Sequence, residues 1–118
     1  MSDDLESLRR LLATESRSLL VAEPRDDERS EREIVGTVIA AWDGWRGNLY
    51  RLAVLPAHRR RGVGLELVRH AEVELRGRGA VRLAAVVVED HDHATGFWQA
   101  AGYERQSRRL RFVKNLRA

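Results

Sequence analysis

The 118-residue chain contains no cysteine. That excludes disulfides, thiolate zinc sites and a cysteine nucleophile. Lysine occurs once, at Lys114, so 20 of the 21 basic residues are arginine. No apolar run approaches the ~20 residues of a membrane-spanning helix. The N-terminus, MSDDLESLRR, lacks the basic start and apolar stretch of a signal peptide. These absences predict a cytoplasmic protein with no membrane partner. Proline is scarce, at Pro24 and Pro56 only, and no repeat or low-complexity segment interrupts the chain.

Hydrophobic residues make up 43% of the chain, enough for one globular core. Charge is unevenly placed. Residues 1–57 hold 8 arginines against 11 acids, and residues 58–118 hold 13 basic residues against 7 acids. The positive half suits either a solvated arginine surface or a polyanion, meaning nucleic acid or a phosphorylated small molecule.

Periodicity predicts the element order helix, three strands, helix, strand, helix, strand. Asp3–Ala13 repeats leucine at helical spacing. Ser18–Glu23, Ile34–Trp42 and Asn48–Leu55 read as strands. Pro24–Arg32 reads as a charged exposed turn, Asp43–Gly47 (DGWRG) as a hairpin turn, and Pro56 as a strand stop. Gly62–Arg76 is predicted helical, ended by Gly77 and Gly79. Ala80–Val88 is nearly all apolar and reads as a central strand. His93–Ala101 reads as a helix stopped by Gly102, and Ser107–Leu116 as a last strand. A meander followed by a β-α-β crossover predicts an α/β (α+β) fold with a mixed, mostly antiparallel sheet. The crossover makes Asn48–Leu55 and Ala80–Val88 parallel neighbours.

The chemistry concentrates in Leu52–Leu65, LAVLPAHRRRGVGL. A strand stops at proline, arginines follow, and two glycines open a helix. Helix N-termini offer unpaired N–H groups, glycine lets an anion approach, and arginine bonds phosphate oxygens. The stretch therefore suits a pyrophosphate at Arg60–Leu65. It is neither a Walker A loop nor a G-x-G-x-x-G fingerprint, because Leu67 stands where the third glycine belongs.

Arg59-Arg60-Arg61-Gly62-Val63-Gly64 resembles the R/Q-x-x-G-x-G/A signature of the GNAT N-acetyltransferases. The resemblance extends over residues 18–114. Leu52–Val54 sits where the family has its bulged fourth strand, and Ala94-x-x-Phe97-Trp98-x-x-x-Gly102-Tyr103 resembles its A-x-x-F-Y-x-x-x-G-F/Y helix. The WDGWRG turn, residues 42–47, also looks like that of a small bacterial branch.

The resemblance implies one GNAT domain over residues 1–118 that moves an acetyl group from acetyl-CoA to a primary amine, of a small molecule or a protein. The amine attacks directly in a ternary complex. Coenzyme lies between the parted fourth and fifth strands, here Asn48–Leu55 and Ala80–Val88. The backbone of Leu52, Ala53 and Val54 bonds the pantetheine arm. Arg59, Arg60, Arg61, Gly62, Val63, Gly64 and Leu65 hold the diphosphate, and Phe97 and Trp98 wall the channel. Trp98 replaces the family's frequent tyrosine and cannot serve as an acid. Tyr103, water or an unprotonated thiolate takes over that step. His91, where the family has asparagine, is a candidate donor to pantetheine or base. Asp43 is either a turn residue or a ligand of the acceptor amine. The family's usual first strand and helix look absent before Asp3.

Other readings stay open. Asp90–His93 within EDHDH suits a metal or a polar loop; the loop is the expectation, with no metal. His58 and His70 read as surface residues. Trp42, Trp45 and Tyr50 suit packing or an acceptor pocket. The strand Ser18–Glu23 has an exposed edge, which predicts a homodimer. An acyl-CoA-binding sensor without turnover is an alternative to the enzyme. A nucleic-acid module built on Arg59–Arg61 and Arg105–Arg111 lacks interleaved aromatic residues, so no nucleic-acid partner is expected.

Overall fold

The computed structural model describes residues 17–23, 33–87 and 92–116. The helix expected at Asp3–Ala13, the turn Pro24–Arg32 and His91 lie outside those residues. The described elements are β1 (Arg17–Ala22), β2 (Gly36–Trp42), β3 (Gly47–Val54), α1 (Val63–Gly77), β4 (Leu83–Ala85) and α2 (Asp92–Ala100). A short 3-10 turn, Pro56–His58, follows β3.

The four strands form one sheet in the order β1-β2-β3-β4. The first two pairings are antiparallel. The third, between β3 and β4, is parallel and contains α1 as its crossover. The mixed sheet and its β-α-β unit are as the sequence predicts.

β2 is the central strand. Val38 and Ala40 join one cluster with Leu49 of β3 and Leu67, Val68, Ala71 and Leu75 of α1. Ile39 and Ala41, of opposite parity, are also buried. A strand buried on both faces carries a continuous apolar run, as Val38–Ala41 does. α1 buries only the stripe Leu67, Val68, Ala71, Leu75, at helical spacing. Phe97 and Trp98 of α2 pack against the same cluster.

The turn between β2 and β3 is built by Asp43. Its carboxylate accepts hydrogen bonds from the backbone N–H groups of Trp45 (2.8 Å) and Arg46 (2.6 Å). This is an Asx turn, and Gly44 takes φ +91° within it. Gly79 and Gly102, both at positive φ, follow the ends of α1 and α2.

Two expected strands differ from the structure. Only Leu83–Ala85 of Ala80–Val88 is a strand, and it is the last in the sheet order, not central. Val81 is 98% exposed. The cause lies in β3, which starts at Gly47 and bulges at Arg51, leaving only Gly47, Asn48 and Leu49 to pair. Ser107–Leu116 forms no strand. Its alternating pattern is present, but no described segment supplies a ladder partner.

Leu75 is 1% exposed at the centre of the cluster. Leu75→Ala is expected to cost about 2–5 kcal/mol, read as a lower urea midpoint with an unchanged slope.

Candidate active site

β3 and β4 part after three rungs. The register runs Gly47↔Leu83, Asn48↔Ala84, Leu49↔Ala85. The N–H of Val86 donates to the carbonyl of Leu49 at 3.1 Å, and no bond between the two segments follows among the described residues. β3 continues to Val54, paired with β2 alone.

The divergence has a local cause. Between Thr37↔Ala53 and Ile39↔Tyr50 the register shifts, so Arg51 and Leu52 oppose the single residue Val38. Arg51 takes φ +56°, a left-handed conformation that non-glycine residues rarely adopt. A bulge of this kind bends its strand and ends regular pairing. Leu52, Ala53 and Val54 lie beyond it.

After β3, residues 59–62 form a tight turn with Arg60 at φ +65° and Gly62 at φ +80°. Gly62 is the N-cap of α1 and makes no side-chain cap hydrogen bond. The first helical bond runs from the N–H of Glu66 to the carbonyl of Gly62, 3.0 Å. The N–H groups of Val63, Gly64 and Leu65 therefore have no partner among the described residues. Three such amides at the positive end of a 15-residue helix, beside left-handed turn residues, make an anion-binding concavity.

The two glycines of the motif do different work. A Cβ on Gly62 would meet nothing within 4 Å, so glycine serves the backbone conformation there. A Cβ on Gly64 would lie 3.1 Å from Cε1 of Phe97 and 3.6 Å from Cγ2 of Val54. Gly64 thus brings α1, the end of β3 and α2 into close contact. Arg60 and Arg61 are exposed at the loop. Arg59 instead turns back, its Nε donating to the carbonyl of Val54 at 3.3 Å.

Phe97, Trp98 and Tyr103 form an aromatic chain. Phe97 and Trp98 meet edge-on at 5.2 Å, and Trp98 and Tyr103 at 5.0 Å. Tyr103 lies at the far end of it. Its hydroxyl donates to Oε2 of Glu72 on α1, 2.8 Å. Burial, then the Glu72 carboxylate, push the phenol well above the usual tyrosine range. Glu72 is eight residues along α1 from Gly64, about 12 Å at 1.5 Å per residue. Glu72 carried no signal in the sequence, and neither did the bulge, since arginine does not advertise a positive φ.

Asp43 stands apart from these groups. It precedes β3, whereas the turn at residues 59–62 follows it, and eight strand residues span about 26 Å. Hydrogen bonds from the Arg46 and Trp45 amides hold its carboxyl below the ordinary range. Both bonds go to Oδ1 and place Asp43 in the turn.

Residues 2–103 match the family model described as the Acetyltransferase (GNAT) family. The chain belongs to the GNAT acetyltransferase family. Its fold is also that of solved family structures. An aminoglycoside antibiotic 6′-N-acetyltransferase, AAC(6′)-IG from Acinetobacter haemolyticus, is 24% identical with a TM-score of 0.73, over 96% of this chain and 80% of that one. AAC(6′)-Ih from Acinetobacter baumannii is 22% identical with a TM-score of 0.74, over 95% and 79%. AAC(6′)-Iy, solved in complex with CoA, is 19% identical with a TM-score of 0.74, over 94% and 85%. At these identities the structures establish the fold. The family establishes an acetyltransferase that draws on acetyl-CoA. No helix of the described residues is long and apolar enough to cross a membrane.

The Tyr103–Glu72 contact has a pH signature. An unfolded tyrosine ionises near 10, while the folded phenol keeps its proton to higher pH. The native state then binds more protons above pH 10, so this contribution is full below that pH and is lost as pH rises beyond it. Denaturation from pH 8 to 11 should show a steeper loss of stability in the parent than in Tyr103→Phe. Parallel curves would separate Tyr103 from Glu72.

Proposed function

We propose that the chain is an N-acetyltransferase in which an acceptor amine directly attacks acetyl-CoA bound between β3 and β4. One observation carries this reading: the parallel pair parts beside a helix start whose first amides have no partner among the described residues. The turn residues Arg60, Arg61 and Gly62 and the amides of Val63, Gly64 and Leu65 would take the diphosphate. Leu52 and Ala53, past the bulge, would bond the pantetheine arm. Val54 would contribute less, because Arg59 already bonds its carbonyl. Phe97 would wall the channel at Gly64, and Trp98 would support it.

The residues fit such a substrate. The loop is positive and conformationally set in advance, and the edge of β3 past Leu49 is free of β4. Catalysis then rests on holding amine and thioester together and on backbone donors at the developing oxyanion. No enzyme nucleophile is needed, in keeping with the lack of cysteine. The phenol of Tyr103 is directed at Glu72, so in our reading the thiolate leaves without it; thiols ionise near ~8.5 and are tolerable leaving groups. His91 remains the candidate to bond pantetheine or to take the amine proton.

The acceptor is proposed as a small primary amine. Three relatives of the same fold are named as aminoglycoside acetyltransferases, and family membership supports amine chemistry in general. A single domain completes the proposal, supported by a family match that spans residues 2–103. The sensor alternative keeps the same coenzyme site and lacks turnover.

Two measurements test this. Gly62→Glu places a carboxylate in open space at the loop and is expected to weaken acetyl-CoA binding on the order of 100-fold by calorimetry. Gly62→Asn, neutral and tolerant of left-handed backbone, should bind nearly as well as the parent. Equal affinity in folded Gly62→Glu would move the diphosphate elsewhere. Thiol release with a panel of amines separates enzyme from sensor. In that assay Tyr103→Phe should change turnover by less than about 3-fold, whereas a general acid contributes about 100-fold or more.

A further inference from the structure

α2 meets α1 at two places, eight residues apart along α1. At Gly64 the ring of Phe97 comes so near that a Cβ would stand 3.1 Å from Cε1 and 3.3 Å from Cζ. At Glu72, Oε2 accepts the hydroxyl of Tyr103 at 2.8 Å. Both Glu72 and Tyr103 are half-buried. The two contacts differ in kind. Apolar packing is non-directional, and it is what Phe97 and Trp98 make with the core. A hydrogen bond to a carboxylate fixes an angle as well as a distance and is stronger than a neutral one.

Tyr103 is joined rigidly to α2. Gly102 takes φ +97°. The N–H of Tyr103 donates to the carbonyl of Trp98 at 2.9 Å, and the N–H of Gly102 to that of Gln99 at 3.0 Å. These two bonds make a Schellman cap, and the apolar contact that accompanies such caps is here the edge-on meeting of Trp98 and Tyr103. The cap makes a pin on the Tyr103 hydroxyl a pin on the whole helix. A rotation of α2 that lifts Tyr103 from Glu72 also turns Phe97 away from Gly64.

We propose that Glu72 is a positioning residue for the coenzyme: by accepting the Tyr103 hydroxyl it holds α2 so that Phe97 stands as a preformed wall at Gly64, and acetyl-CoA affinity depends on that bond. This role presupposes the coenzyme site at the start of α1 proposed above. Glu72 acts from a distance, about 12 Å along α1 from Gly64. Without its bond, coenzyme has to order α2 on binding, and affinity falls. Once α2 is seated, the chemical step is the same.

Calorimetry with acetyl-CoA on the full chain tests this. Glu72→Ala and Tyr103→Phe are each expected to weaken binding about 10-fold while circular dichroism stays unchanged. The double variant should bind no more weakly than either single one, because both remove the same bond. Glu72→Gln keeps an oxygen that can accept the hydroxyl and should stay within about 3-fold of the parent. In steady-state assays the KM for acetyl-CoA should rise with the dissociation constant, while kcat changes by less than about 3-fold. A lower urea midpoint with parental affinity in Glu72→Ala and Tyr103→Phe overturns the role and leaves a merely structural bond. So do additive losses in the double variant, or a loss in kcat with KM unchanged. Gly62→Glu separates these outcomes from a failure of the coenzyme site. If it loses affinity and the Glu72 and Tyr103 variants do not, only the positioning role falls. If it binds like the parent, the site falls and the role with it.

Discussion

A parallel ladder holds only while both strands stay straight, and here it lasts three residues. Arg51 adds an extra residue to β3 in a left-handed conformation, and β3 then leaves β4. The candidate site follows from this break. The backbone past Leu49 keeps hydrogen-bonding capacity on the β4 side, and it does so next to the start of α1. A regular sheet would have used those groups internally.

The second constraint is the close approach at Gly64. The N-terminus of α1 has to lie against both Val54 and the ring of Phe97, and a side chain at Gly64 would fill that space. The motif's glycines therefore divide the labour. Gly62 turns the backbone so that amides converge, and Gly64 lets α2 close against them. The aromatic chain Phe97–Trp98–Tyr103 continues from there to Glu72, tying the far half of α1 to the end of α2. The start of α1 and the core are thus one packed unit.

Both edges of the sheet are open among the described residues, but they differ in character. β1 pairs along its whole length with β2 and offers its outer side. β4 is three residues long and borders a cleft.

Much of this was legible in the residues themselves. The approximate bounds of strands β2 and β3 and helix α1, the crossover and the anion-suited loop follow from periodicity, proline and glycine, which act locally. Asp43 is a case where the sequence allowed two roles, because a carboxylate before glycine can cap a turn or bind an amine; the structure shows its Oδ1 bonded within the turn. β4 and the C-terminal segment differ from expectation because a strand exists only where a partner ladder continues. β3 begins at Gly47, which leaves Val81 without a rung, and its bulge at Arg51 ends the ladder after Val86. Pattern along the chain determined which residues seek burial and which turns the backbone makes. Tertiary structure alone decided which edges are satisfied, because a hydrogen-bond partner is a property of two segments and is written in neither.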